Sequence, residues 1–373
     1  EVFVSFETVD DLIRSSAGAD IAIATIFHSV WLVDEIIRKN PAVMPAYYVQ
    51  DYEPMFYQQG SLEWELAYRS YAQIPGALLF AKTDWLCRKL RAEHGVSVQK
   101  VAPSIDTDLY FPLLDHRDAD GTIQLVAMVR PNTPRRGAER TMRILKQIRQ
   151  RHPTTVRIDI FGCTPEMIAQ YQLIADFEFI NHGVLVREQV AKLFQQSDIF
   201  VDFSDYQAFG RSALEAMACG CAVMVPREGG AGEFAIDGGN AWIVDTMDEA
   251  ACLEKLDRLV TSPKIRTAFV RRGLETACRY SIHASVVSEV DMLSDELRRY
   301  RTGACLPRKI ERAAGLLTRA LQAPEIEQAG SLLSRVAKDP AVHYLLDIHE
   351  QTARHRQQPV LAEAIRALTA ALS

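Results

Sequence analysis

Apolar and polar positions along the chain fall into two alternating patterns. Short β-prone runs recur at Ile21–Phe27, Ala46–Gln50, Ala77–Ala81, Ile123–Val129, Val156–Phe161, Ile199–Phe203 and Cys221–Pro226. Several are almost purely apolar, as strands are when helices cover both faces of a parallel sheet. Helical patterns lie between them. In Ala138–Arg151, Met142, Leu145 and Ile148 supply one apolar stripe while arginines and a lysine fill other positions, which predicts an amphipathic helix. Strands and helices alternating in this way predict an α/β architecture.

The rhythm breaks twice. Leu113–Thr122, which contains DHRDADG, is polar and turn-prone and marks a boundary. From Pro307 onward no strand pattern recurs. Ile310, Ala313, Ala314, Leu317, Ala320 and Leu321 mark one helical stripe, and Leu361, Ala364, Ile365 and Leu368 another, with Pro324, Pro340 and Pro359 as punctuation. A length of 373 residues suggests two domains and a remainder, at about 150 residues each. The predicted division is residues 1–115, 116–282, a connecting helix over 283–306 and a helical extension over 307–373. Over 301–373 ten bases face seven acids, a net +3. Such a tail suits an acidic partner, a second copy of the chain, an anionic membrane face, or packing as a helical cap on the body.

Composition narrows the function classes. Apolar residues make up 48% and charged residues 24%, which excludes disordered and fibrous classes. The net charge of −6 argues against a nucleic-acid partner, whose binding domain is usually basic. No apolar run approaches the roughly 18 residues of a membrane helix. The seven cysteines, Cys87, Cys163, Cys219, Cys221, Cys252, Cys278 and Cys305, lack the paired spacing of a zinc site or a disulfide framework. They read as small buried hydrophobes in a reducing compartment. No secretory signal pattern opens the chain at Glu1.

The chemistry concentrates in Ser204–Gly220, SDYQAFGRSALEAMACG. It follows an apolar strand, turns at Gly210 and becomes a helix. A strand, loop and helix N-terminus in that order can receive an anion, because free backbone N–H groups and the positive end of the helix dipole point at it. Glu215, one turn into the helix, can accept bonds from vicinal hydroxyls.

The run FGRSALEAMACGCAVMV resembles the donor-binding segment of retaining glycosyltransferases of family 4. These have the GT-B fold, two Rossmann-like domains facing a cleft. The family pattern carries two glutamates, and Glu215 matches the second, which holds the nucleoside ribose. The first is replaced by Gln207, which can bond a sugar hydroxyl without carrying charge. In MVRPNTPRRGAERTM, Arg130 and Arg136 match the two cations that grip the donor diphosphate; an arginine in place of the family's lysine adds a planar fork. HGVLVREQVAKLFQQSDIFVDFS resembles the base-contacting stretch and nominates His182, Gly183 and Val184. REGGAGEFAIDGGNAWIV aligns Gly229, Gly230 and Glu233 with a Gly-Gly-x-x-Glu segment.

The first domain departs further from the pattern. YYVQDYEPMFY has Gln50 and Asp51 where the family often has His-Asp, and the longer phrase is similar to glycosyltransferases that add rhamnose to bacterial surface polysaccharides. The usual first strand and Gly-rich loop are not seen before Ile21, so this acceptor-side half is expected to lack its start.

The resemblance implies sugar transfer from a nucleotide donor, dTDP-rhamnose above others, to a glycan acceptor, free or lipid-linked. It implies retention of configuration, no metal and no cofactor beyond the donor. The expected location is cytoplasmic, extending to the inner membrane face. The site residues expected are Arg130, Arg136, Gln207 and Asp51 for the chemistry. Gly183, Val184, Ala208, Phe209, Gly210, Arg211 and Glu215 are expected to bind the donor. Asp51 and Glu53 stand as acceptor-side candidates. Arg140, Arg143 and Arg149 read as a solvated helix face, Arg211 and Glu215 equally as a helical ion pair, and His28 as a structural histidine. Two other readings stay open: a nucleotide-sugar-binding module without catalysis, and a sugar-nucleotide epimerase on the same fold.

Overall fold

A computed structural model describes residues 5–74, 76–113 and 121–302. The proposed extension over 307–373 and most of the polar boundary lie outside the described residues. Internal contacts divide the chain into two units. Of the described residues, one comprises 5–74, 76–81, 90–99 and 291–302, the other 82–89, 100–113 and 121–290.

The first unit carries a four-stranded sheet of β1 (Ile21–Ala24), β2 (Met44–Val49), β3 (Leu78–Ala81) and β4 (Val98–Lys100), in that order. The pairs β1–β2 and β2–β3 are parallel. Its helices are α1 (Val9–Ser15), α2 (Phe27–Lys39), α3 (Leu62–Ser70) and α4 (Asp84–His94), of which α4 continues into the second unit. The apolar run predicted as strand to Phe27 stops at Ala24, because the chain turns there into α2. Ser29 in the first turn of α2 accepts from Thr25 N and Ile26 N through Oγ, and this local bonding outcompetes strand extension.

The second unit holds six parallel strands: β5 (Ile123–Met128), β6 (Val156–Phe161), β7 (Ile180–Asn181), β8 (Ile199–Val201), β9 (Ala222–Pro226) and β10 (Ala241–Val244). Their order is β10-β9-β8-β5-β6-β7, the doubly wound arrangement in which the strand order reverses between β5 and β8. Helices α5 (Ala138–Arg151), α6 (Pro165–Gln170), α7 (Arg187–Gln196), α8 (Arg211–Ala218), α9 (Glu249–Thr261) and α10 (Pro263–Ala277) follow in sequence. A final helix, α11, spans Ile282–Arg301. No described helix is long and apolar enough to cross a membrane.

The unbroken apolar runs have a direct cause. Leu125 and Ala127 of β5 belong to a core cluster shared with Met142, Leu145 and Ile148 of α5 and Leu256 of α9. Val126 between them packs in the opposite cluster with Phe194 of α7 and Leu214 and Met217 of α8. Ala222 and Met224 of β9 divide from Val223 and Val225 in the same way. Every position in these strands but the half-buried Met128 is therefore buried on one face or the other, at about 1.5–3 kcal/mol per large aliphatic side chain.

The charged face predicted for α5 needs correction. Arg140 is only 9% exposed. Its Nε and Nη2 donate to Phe203 O at 3.0 and 2.7 Å, and Nη2 also meets Asp205 Oδ1. Arg143 pairs with Glu249 at 2.6 Å, and Arg149 bonds Val156 O at 2.7 Å and Glu178. These arginines tie α5 to its neighbours. Five of the six described cysteines are buried, while Cys278 is exposed, and none of the six is in a disulfide.

Candidate functional site

Strand register brings the site-bearing loops of the second unit to one end of its sheet. Ala127 of β5 is level with Val201 of β8, and Val201 with Met224 of β9; on the other side Met128 is level with Phe161 of β6. Ile160 is in turn level with Asn181 of β7. Arg130, Gly162, His182–Val184, Asp202–Gly210 and Arg227–Gly230 therefore all emerge at the carboxyl ends of their strands. Arg130 and the 202–210 loop flank the switch between β5 and β8, where doubly wound sheets bind ligands.

Arg130 is exposed, and among the described residues no hydrogen bond or ion pair engages its guanidinium. Arg136 closes a short 3₁₀ turn, Pro134–Arg136, and is half-buried. Gly137 follows with φ +60°, where a Cβ would lie 2.6 Å from Phe203 O and 2.4 Å from Arg140 Nη2. Only glycine lets the start of α5 press on the loop after β8. That loop is further held by Asp205 N bonding Arg135 O at 2.8 Å, and by Thr246 Oγ1 bonding Ser204 O at 2.9 Å.

Gly210 caps α8 from the left-handed region, φ +87°, and no side chain caps that helix N-terminus. Ala208 is buried, and Phe209 packs edge-on against Phe234 with ring centroids 5.6 Å apart. Gly229 and Gly230, found in the sequence as a separate motif, lie against this loop. Gly230 N donates to Gln207 O at 2.7 Å. A Cβ on Gly229 (φ +109°) would stand 2.0 Å from Gln207 O, and one on Gly230 2.0 Å from Ala208 O. Gly229→Ala should therefore lose about 3 kcal/mol or more of stability through strain and overpacking, read as a shift of the urea midpoint. An unchanged midpoint would mean that the two loops do not pack as described.

Glu215 is 8% exposed, and no described residue hydrogen-bonds its carboxyl or pairs with it within 4 Å. The helical ion pair with Arg211 is thus not formed; Arg211 itself is exposed. Burial pushes the Glu215 carboxyl up to about 7, against the downward pull of Arg211 and Arg187. Arg187 instead pairs with Asp106 at 2.9 Å. The proton bound here favours folding at acid pH, fully below the ordinary carboxylate range, and that contribution disappears as pH rises through about 7. A diol donating to this group favours its ionised form. Nucleoside binding should therefore release a proton near pH 6 and tighten from pH 5.5 to 7.5, by up to about tenfold per unit. Calorimetry in buffers of different ionisation enthalpy reads the release. Equal proton release in wild type and Glu215→Gln would rule out the linkage.

Gly183 adopts φ +71°, its N–H bonds Asn181 Oδ1 at 2.9 Å, and its carbonyl accepts from Gly162 N at 2.7 Å. Val184 beside it is 69% exposed. A residue that sequence reasoning missed lies behind this turn. Asp159, fully buried in β6, stands 2.6 Å from His182 Nε2. An acceptor-only group there fixes which nitrogen of His182 faces inward. An Asp set among the apolar Val156, Ile158 and Ile160 of that strand was the available signal.

Asp51 belongs to the first unit, beyond the end of β2, with its Oδ1 accepting from Tyr52 N at 2.8 Å. Glu53 does not serve as an open acceptor group. It is 4% exposed, accepts from Phe27 N at 2.7 Å and so caps α2, and burial pushes its carboxyl up to about 7. His28 is exposed against the Phe27 ring, with centroids 3.7 Å apart.

Comparison with known proteins bears on the family likeness and the fold. Residues 117–276 match the family described as "Glycosyl transferases group 1". The O-antigen biosynthesis protein RfbC of Myxococcus xanthus is 24% identical over 271 residues, covering 72% of this chain and 20% of RfbC. A GDP-mannose-dependent alpha-(1-6)-phosphatidylinositol monomannoside mannosyltransferase of Mycolicibacterium smegmatis is 27% identical over 185 residues, covering 45% of this chain and 48% of that protein. The chain thus spans a fifth to a half of these relatives. Among solved structures, sucrose-phosphate synthase from Thermosynechococcus elongatus superposes with TM-score 0.66 at 19% identity, covering 78% of this chain and 77% of that one. Anabaena HepE, in complex with UDP and glucose, gives TM-score 0.64 at 15% identity, covering 77% and 81%. The chain has the GT-B fold, and its residues 117–276 are similar to group 1 glycosyltransferases.

Proposed function

We propose that the protein transfers a sugar from a nucleotide donor to a glycan acceptor in the synthesis of a surface polysaccharide. The observation that carries this reading is the Arg130 guanidinium beside the switch point, engaged by no described residue, next to a loop leading into α8, whose N-terminus no described side chain caps. The negative charge that develops on a departing diphosphate is the hardest part of such a reaction. Arg130, Arg136 and the N-terminus of α8 are the groups that stabilise it, and preorganised electrostatics of this kind is usually the largest catalytic term. Glu215 accepts the ribose hydroxyls, the turn at Gly183 and Val184 meets the base, and Gln207 and the Ala208–Arg211 backbone hold the sugar.

The bond from the anomeric carbon to the phosphate oxygen breaks, and its electron pair leaves on the diphosphate. The acceptor oxygen bonds the same carbon from the face the leaving group vacates and gives its proton to a phosphate oxygen. Configuration is retained, and no protein nucleophile is used. Rhamnose from dTDP-rhamnose is our proposed donor sugar, supported by the Tyr47–Tyr57 phrase. Synthesis of a surface polysaccharide is supported by the similarity to RfbC, whose name places it in O-antigen biosynthesis. The acceptor is a glycan, free or lipid-linked.

A panel of dTDP-rhamnose, UDP-glucose and GDP-mannose incubated with short glycans tests this. Release of nucleoside diphosphate that depends on acceptor supports transfer, and product NMR reports the anomeric configuration. Conversion of donor without acceptor would favour epimerase chemistry, and binding without turnover a binding module.

A further inference from the structure

Gln207 stands where the resembling family has a glutamate, and its side chain is tightly held. It is 5% exposed. Its Nε2 donates to Asp202 Oδ2 at 2.6 Å and reaches Ser204 Oγ at 3.0 Å. Asp202 is itself 7% exposed, and its Oδ1 accepts from Ser204 N at 2.9 Å and from Ser204 Oγ. The Gln207 backbone is fixed as well, through Glu228 O at 3.4 Å and Gly230 N at 2.7 Å.

The chemistry of the pair determines the orientation of the amide. A carboxylate only accepts hydrogen bonds, so the amide must turn its NH₂ end to Asp202. The carbonyl Oε1 then points the other way, and no described residue donates to it. An amide that can ordinarily donate and accept is reduced to a fixed acceptor.

We propose that Asp202 is a positioning residue, and that Asp202 and Gln207 together replace a single glutamate in holding the donor sugar. Gln207 Oε1 accepts from a sugar hydroxyl, while the carboxylate stays one hydrogen bond behind it and never touches the ligand. The site therefore selects a sugar that has a hydroxyl at the position facing Gln207. A deoxy analogue there leaves the oxygen unpaired and is rejected. This rests on the reading of the loop as the donor-sugar site.

The test compares wild type with Asp202→Asn, Gln207→Glu and the double variant. The readout is the ratio of two affinities: that for the member of the panel (dTDP-rhamnose, UDP-glucose, GDP-mannose) that wild type binds best, over that for its nucleoside diphosphate. Thermal unfolding is recorded alongside. Asp202→Asn frees the amide to turn, so the ratio should fall about tenfold, the scale of one hydrogen bond, with diphosphate affinity within about twofold of wild type. Gln207→Glu sets two carboxylates 2.6 Å apart at a buried site, and both the ratio and the melting temperature should fall. The double variant reverses the polarity of the pair and should recover the ratio to within about threefold, as one hydrogen bond is restored. A purely structural role for Asp202 moves melting temperature and not the ratio, and that result overturns the proposal. So does a double variant no better than the singles. A wild type that binds none of the nucleotides overturns the donor-site reading itself.

Discussion

Replacing Arg130 with alanine is expected to lower kcat/KM by about 100-fold or more, the usual loss when a preorganised electrostatic donor to a leaving group is removed. Because Arg130 is exposed and unengaged by described residues, its melting temperature should stay near that of wild type. The loss should appear mainly in kcat, because the charge it faces grows in the transition state. Arg136→Ala should show a drop of similar size. Arg136 also closes the turn before Gly137, so part of its effect should appear in stability. Near-wild-type kinetics in both single variants would place the diphosphate elsewhere.

Glu215→Ala carries the second large expectation. A charge-assisted hydrogen bond is worth about 1.5–3 kcal/mol, so affinity for the free nucleoside diphosphate should fall about 10- to 150-fold. The variant should fold at least as well as wild type at neutral pH. Its carboxyl is 8% exposed, meets no described partner, and is pushed up to about 7 by burial, so its ionised form is paid for in stability by the unliganded protein. A drop in affinity with no loss of stability marks a group kept for a ligand. Unchanged nucleotide affinity would remove Glu215 from the site.

The sequence showed the central strands of the second unit well and its edges poorly. β6 matches its predicted run end to end, and β5, β8 and β9 differ from theirs by at most two residues. Apart from the exposed Arg157 of β6 and the half-buried Met128 of β5, these strands are buried on both faces, so their apolar runs mark them. β7 has two residues and β4 three, too short for any periodicity, and β10 is a four-residue edge strand preceded by Gly-Gly-Asn. Their pairing comes from neighbours that a local pattern does not contain.

The site was legible in its glycines and less so in its charges. Gly137, Gly183, Gly210 and Gly229 all adopt the left-handed conformations that turns at these loops require. Arg140 reads as part of a solvated face because it is charged and lies outside the Met142, Leu145 and Ile148 stripe, yet it lies four residues before Ile144 and eight before Ile148, on the buried side of the helix. Glu53 and Asp202 were hidden for a related reason. A buried carboxylate is defined by its partners, Phe27 N for one and Gln207 Nε2 for the other, and neither bond follows from spacing.

The central claim is that the carboxyl ends of β5 and β8 form a nucleotide-sugar site. Calorimetric titration of wild type, Arg130→Ala and Glu215→Ala with dTDP, UDP and GDP tests it most directly. The account predicts one-site binding to wild type for at least one of the three, weakened at least tenfold in each variant at unchanged folding. Binding of equal strength in all three proteins, or to none of them, would contradict it.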